Sequence, residues 1–176
     1  MDLKLQELLV LLKASAHPTR KFTFAALAEK LAMSAAEVHA SVKRAKGAGL
    51  VNERGRGDWA PIRPALQEFL VHGVRYAFPA EMGPVKRGIP TAHGAEPLAG
   101  LLHNEGDIPV WAHPQGSARG PSVSPIYRTA PAAALRDPDL HRLLALLDAL
   151  RMGRVREREL AGKLLSDALK PLDAAA

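Results

Sequence analysis

No cysteine occurs among the 176 residues, which excludes disulfide frameworks, thiolate zinc sites and cysteine nucleophiles. Aromatic residues are scarce at 5%, although 47% of the chain is hydrophobic. A core must therefore be built mostly from Leu, Ala and Val. No apolar run approaches the ~20 residues needed to span a bilayer. The first fifteen residues have an apolar centre, but Asp2 and Glu7 interrupt it and no small-residue cleavage site follows. They read as an amphipathic helix rather than a signal peptide. A cytoplasmic protein without membrane contact is expected.

Charge is present in ordinary amount, 24% of residues, but it is unevenly placed. Residues 1–78 hold 12 Lys+Arg against 7 Asp+Glu, a surplus of five. Residues 79–176 hold 12 against 11. A basic half joined to a near-neutral half suggests a polyanionic partner, most commonly nucleic acid. A chain of this length suits one domain or two small ones.

The most informative stretch runs from Phe22 to Trp59. Thr23 is placed to cap a helix over Phe24–Leu31, with Leu27 and Leu31 facing inward one turn apart. After a break at Met33-Ser34, the run Ser34-Ala35-Ala36-Glu37 has the form of a capping box, in which Ser34 and Glu37 satisfy each other's backbone N–H groups. Val38, Val42 and Ala45 then mark an inward face, with His39, Lys43 and Lys46 outward and Ala35, Ala36, Ala40 and Arg44 nearer the flanks. Gly47 and Gly49 end this helix. Short strands are expected at Val51–Glu53 and Asp58–Ala60, joined by Arg54-Gly55-Arg56-Gly57.

This stretch, from Phe24 to Ser34 and on through Val38, Val42, Ala45 and Gly49-Leu50-Val51, resembles the winged helix-turn-helix of bacterial regulators of the MarR and ArsR type. The resemblance covers roughly residues 20–60. It implies a transcriptional regulator that binds double-stranded DNA, usually as a homodimer on a palindromic operator. It also implies a recognition helix over Ser34–Lys46 and a wing carrying Arg54 and Arg56. On physical grounds Ser34 and His39 would approach base edges, and Lys43, Arg44 and Lys46 would meet phosphate. The reading half of the helix is poor in Arg, Asn and Gln. Specificity should therefore lean on Arg54 or Arg56 in the minor groove and on DNA shape, with a steep salt dependence. An Ala-rich third helix could instead pack on a protein.

The remaining elements are read from pattern alone. A broad apolar helix is expected over Asp2–Ala14, ended by His17-Pro18. It carries more Leu than one buried stripe needs, so it is either buried on two sides or paired with a partner copy, and the breadth of its apolar surface favours some dimerisation. A further helix is expected over Pro64–Val71. Residues 79–131 contain 9 of the 14 prolines and 7 of the 14 glycines, so this segment reads as loop-rich or as a partly ordered linker. Strands are expected at Val85–Arg87, Ile108–Trp111 and Val123–Tyr127, with a small helix at Pro97–Leu102. Asp137-Pro138 opens a helix with Leu140, Leu143, Leu144, Leu147 and Leu150 on one face, either packed on its own domain or forming a dimer seam with the first helix. Arg154–Leu169 is the last helix.

The expected fold is α+β and mostly helical: a winged helix-turn-helix domain over 1–78, then a loop-rich module over 79–176 ending in two helices. That module would sense a small-molecule effector, bind a protein partner or dimerise. No catalytic constellation emerges. His103, Asp107 and His113 share one stretch but match no compact metal motif. Neither enzyme activity nor a cofactor is expected. The alternative to a DNA-binding regulator is an antitoxin-like or adaptor protein that grips its partner through the C-terminal half.

Overall fold

The computed structural model describes residues 2–103 and 105–171. It is an α+β protein in which helix predominates. Among the described residues no helix is long and apolar enough to cross a membrane.

The first helix, α1 (Leu5–Ala16), starts three residues later than the sequence pattern suggests and runs two residues further. Leu8, Leu9, Leu11 and Leu12 and the intervening Val10 are fully buried within one chain. The helix lies between α3 (Ala35–Gly47) on one side and α8 (Pro138–Met152) on the other. Of the two readings of its broad apolar surface, burial on two sides is the one realised within the chain, on α3 and α8. The leucine face of α8 likewise packs on α1 and on α9 (Val155–Ala168) of the same chain.

Between α1 and α3 lies α2 (Phe24–Leu31). Thr23 caps it by accepting from the Ala26 N–H at 3.1 Å. The capping box of α3 forms as expected: Ser34 Oγ accepts from Glu37 N at 3.1 Å, and Glu37 Oε2 accepts from Ser34 N at 2.8 Å. Val38, Val42 and Ala45 are buried. Strands β1 (Val51–Gly55) and β2 (Asp58–Pro61) form an antiparallel hairpin in which Glu53 faces Trp59. Gly57, at φ +81°, supplies the left-handed residue at its turn.

The next helix is longer than its expected Pro64–Val71. It runs as α4 (Arg63–Glu68), a π-helical turn (Phe69–Gly73) and α5 (Val74–Ala77). Leu66, Leu70 and Val74 are buried along it, so core packing carries the helix through Gly73.

The proline- and glycine-rich segment is organised by three strands, β3 (Met82–Pro90), β4 (Val110–Ala112) and β5 (Ala118–Val123), each paired with both others. Gly88 belongs to two ladders, opposite Ala112 on β4 and Ala118 on β5. A Cβ there would collide with the Trp111 carbonyl, and one at Gly120 would collide with the Ile108 carbonyl. Glycine is what lets three backbones close on one another. The strand expected at Val123–Tyr127 is displaced. β5 ends at Val123, and Ile126 and Tyr127 turn inward instead. A short helix, α6 (Leu98–Leu101), lies between β3 and β4, and α7 (Ala130–Arg136) precedes α8.

One hydrophobic core runs through all these elements, from Leu8 to Leu169. The strands are fixed to α8 by a buried carboxylate. Asp148 Oδ2 accepts from Thr91 Oγ1 and Trp111 Nε1, both at 2.8 Å, and Oδ1 accepts from Arg151 Nη1 at 2.9 Å. Arg151 Nε donates onward to the Phe78 carbonyl at 2.8 Å. Burial pushes the Asp148 carboxyl above its ordinary range; the Arg151 charge and the two neutral donors offset part of that. A second carboxylate, Asp137, caps α8 through Leu140 N at 3.2 Å and binds Lys13 and His17 of the α1 end.

Two outcomes follow from these carboxylates. Asp148→Ala leaves a buried guanidinium uncompensated and should cost about 3–5 kcal/mol in denaturant unfolding; a loss below about 1 kcal/mol would show that the network does not hold the strands. For Asp137, burial alone would raise the pKa, but hydrogen bonds from Lys13, His17 and Leu140 N–H bring it from an ordinary 3.8 to about 2. A depressed carboxyl stabilises the fold above its unfolded pKa, and that stabilisation is lost as pH falls through the folded one. The stability gap between wild type and Asp137→Asn should therefore narrow between pH 4 and pH 2. A gap that stays constant over that range would contradict the assignment.

Candidate nucleic-acid interface

The outward side of α3 carries Ala35, Ala36, His39, Lys43 and Lys46, all exposed, with Ala40 half-buried beside them. Small residues dominate its first two turns, so the backbone itself can come close to a partner. Ser34 is exposed, but its hydroxyl oxygen is engaged in capping.

His39 lies against Phe24, edge to face, with ring centroids 5.2 Å apart. Phe24 in turn stacks on Trp59 of β2 at 6.4 Å and 14°. One side chain at the start of α2 therefore touches both the exposed face of α3 and the stem of the hairpin. Two ion pairs brace the same hairpin: Lys21 to Asp58 at 3.2 Å, and Lys46 to Glu53. Both are surface pairs, worth at most about 1 kcal/mol each. They set direction more than stability.

Beyond this brace the tip is open. Arg54 and Arg56 are exposed, and nothing lies within 4 Å of where a Cβ would sit at Gly55 or Gly57. Among the described residues, neither arginine nor Lys43 has a carboxylate within ion-pairing distance.

Arg44 is placed otherwise than expected. Its guanidinium turns back to α1, where Nε and Nη2 donate to Glu7 Oε1 at 3.1 and 2.6 Å. The Glu7 side chain is fully buried and that of Arg44 is 17% exposed. Glu7 cannot be buried as an anion without such a partner, so Arg44 belongs to the core and is not free for phosphate. Lys46, with its ammonium on Glu53, is only partly free.

The first turn of α3 has neighbours that the sequence pattern does not announce. Tyr127 Oη donates to Glu37 Oε1 at 2.8 Å, and Arg128 Nη2 lies 3.7 Å from the same oxygen. Arg128 is 72% exposed at its side chain and stacks over Tyr127. The Ser34 N–H, followed by the Tyr127 hydroxyl, holds the Glu37 carboxyl at about 2, well below the usual carboxylate range. Glu37 is thus ionised at neutral pH, with Arg128 set against its charge. The only advance signal was an aromatic-arginine pair in a proline-rich loop, which has no periodicity to read.

His103, Asp107 and His113, whose spacing matches no compact metal motif, are not gathered into a group of donors among the described residues. Among the described residues, the grouped donors are His17, Asp137 and Asp139, within 4.8 Å of one another. The Lys13 ammonium already occupies that position on Asp137. A cleft of about 430 Å³ lies between the ends of α1, α8 and α9, lined by Arg63, Arg142, Leu146 and Leu164 among others. Its size suits a small molecule.

Because Arg44 neutralises a buried acid, Arg44→Ala should lower stability by about 3 kcal/mol while leaving the outward face of α3 intact. Thermal or denaturant unfolding measures this directly. A variant as stable as wild type would return Arg44 to the surface set.

No protein-family model, curated protein or solved structure matches this chain.

Proposed function

We propose that the protein is a DNA-binding transcriptional regulator that uses Phe24–Pro61 as a winged helix-turn-helix. In this reading α3 enters the major groove, Ala36, His39 and Ala40 approach base edges, and Lys43 holds phosphate. The β1–β2 hairpin is the wing, and Arg54 and Arg56 reach the adjacent backbone or minor groove. The observation that carries this reading is the convergence of His39 and Trp59 on Phe24, which ties the small-residue face of α3 to a hairpin tipped by two exposed arginines. The surplus of five positive charges in residues 1–78 supports it. Arg44 leaves the contact set, and Ser34 acts first as a cap.

Few side chains on this face can form bidentate bonds to bases. Affinity should therefore come mainly from phosphate contacts and fall steeply with salt. Fluorescence anisotropy on labelled duplexes across a salt series tests this. Replacing both Arg54 and Arg56 by Ala should weaken binding about tenfold or more and reduce the log–log salt slope by about two. A wild-type protein that ignores duplex DNA, or a double variant with unchanged slope, would end this reading. Co-purification of a stoichiometric protein partner in place of DNA would favour the adaptor alternative.

A further inference from the structure

The β3–β5 ladder contains an arrangement that a free protein should avoid. Arg87 and Arg119 are direct cross-strand partners. Cross-strand partners share one face of a ladder, and like charges there repel. Both residues are exposed, as is Lys86, which precedes Arg87 and so lies on the other face of the strand. Among the described residues none of the three has a carboxylate within ion-pairing distance. Nearer its start β3 is also open to solvent, with Val85 57% and Met82 53% exposed.

We infer that the Arg87–Arg119 face of this ribbon binds a nucleic-acid phosphodiester backbone, forming a second contact on the DNA engaged by α3. This inference rests on the DNA-binding reading above. Two guanidinium forks side by side match phosphate oxygens and lose their mutual repulsion when an anion lies between them. A two-stranded ribbon is a shape that duplex DNA accepts along its grooves. The ribbon is also close enough. From Arg119 the chain reaches Tyr127, which is bonded to the first turn of α3, in eight residues, at most ~28 Å when fully extended. That is less than one helical turn of B-DNA, ~34 Å. Arg128, exposed beside Glu37, lies at the α3 end of that path.

Two variants of the full chain test the inference, read on a ~12-bp and a ~30-bp duplex by anisotropy across a salt series. Replacing Arg87 and Arg119 together by Ala should weaken binding to the longer duplex several-fold and lower its salt slope by about two. Arg119→Glu should do the same to binding while raising the melting temperature of the free protein, because an attractive cross-strand pair replaces a repulsive one. A merely structural role for Arg119 would lower that temperature. If wild type binds and the Arg54/Arg56 variant is weakened, but the Arg87/Arg119 variants match wild type on both duplexes, this inference fails alone. The ribbon would then be free for an acidic protein surface. If wild type binds neither duplex, both readings fall.

Discussion

The placement of the strand region depends on one buried carboxylate. An unpaired carboxylate at the position of Asp148 would cost several kcal/mol in lost hydration. It is tolerated because Thr91, Trp111 and Arg151 each donate to it. Each donor brings a different piece of chain. Thr91 follows β3, Trp111 is the centre of β4, and Arg151 extends the network to the Phe78 carbonyl where the helical half ends. An apolar replacement could fill the same volume at little net cost. What it could not do is fix the bearing of three backbones that otherwise contribute few large side chains to the core.

The same principle recurs at α1. Its middle is uniformly apolar, which gives burial but no rotational register. Register comes from its charged ends: Glu7 is held by Arg44 of α3, and Lys13 and His17 by Asp137 at the start of α8. One helix therefore sets α3 and α8 relative to each other. The proposed DNA-reading helix is anchored from behind by α1 and flanked at its first turn by Tyr127. Segments on either side of residue 78 share a single core, and α3 touches both.

Local rules were legible in the sequence. The capping box at Ser34 and Glu37, the inward set Val38, Val42 and Ala45, and the turn at Gly57 follow from short-range stereochemistry and appear where the pattern puts them. Long-range electrostatics was not legible. Helical phase sets Arg44 nearer the flank of α3 than Lys43, but nothing within α3 says that it is tied down, because its partner is Glu7, thirty-seven residues away. The strand region was only partly readable for a related reason. Gly88 and Gly120 look like loop residues by composition, whereas in the fold they are the points at which neighbouring backbones touch. Pro121 likewise sits within β5, opposite Val85. The cleft and the Tyr127–Glu37 contact join residues far apart in the chain and leave no periodic trace.

The glycines of the closed strands and the glycine at the centre of the hairpin tip differ in how much change they tolerate. Those at Gly88 and Gly120 are hemmed in by carbonyls, and no larger residue fits without moving a strand. Gly55 projects into empty surroundings, above a stem already secured by Trp59, Lys21 and Lys46, whereas Gly57 is held to glycine by its left-handed backbone alone. Descendants of this chain can therefore recharge the loop at positions 54 to 56 and retune its grip, while Gly57 and the closed strands stay as they are.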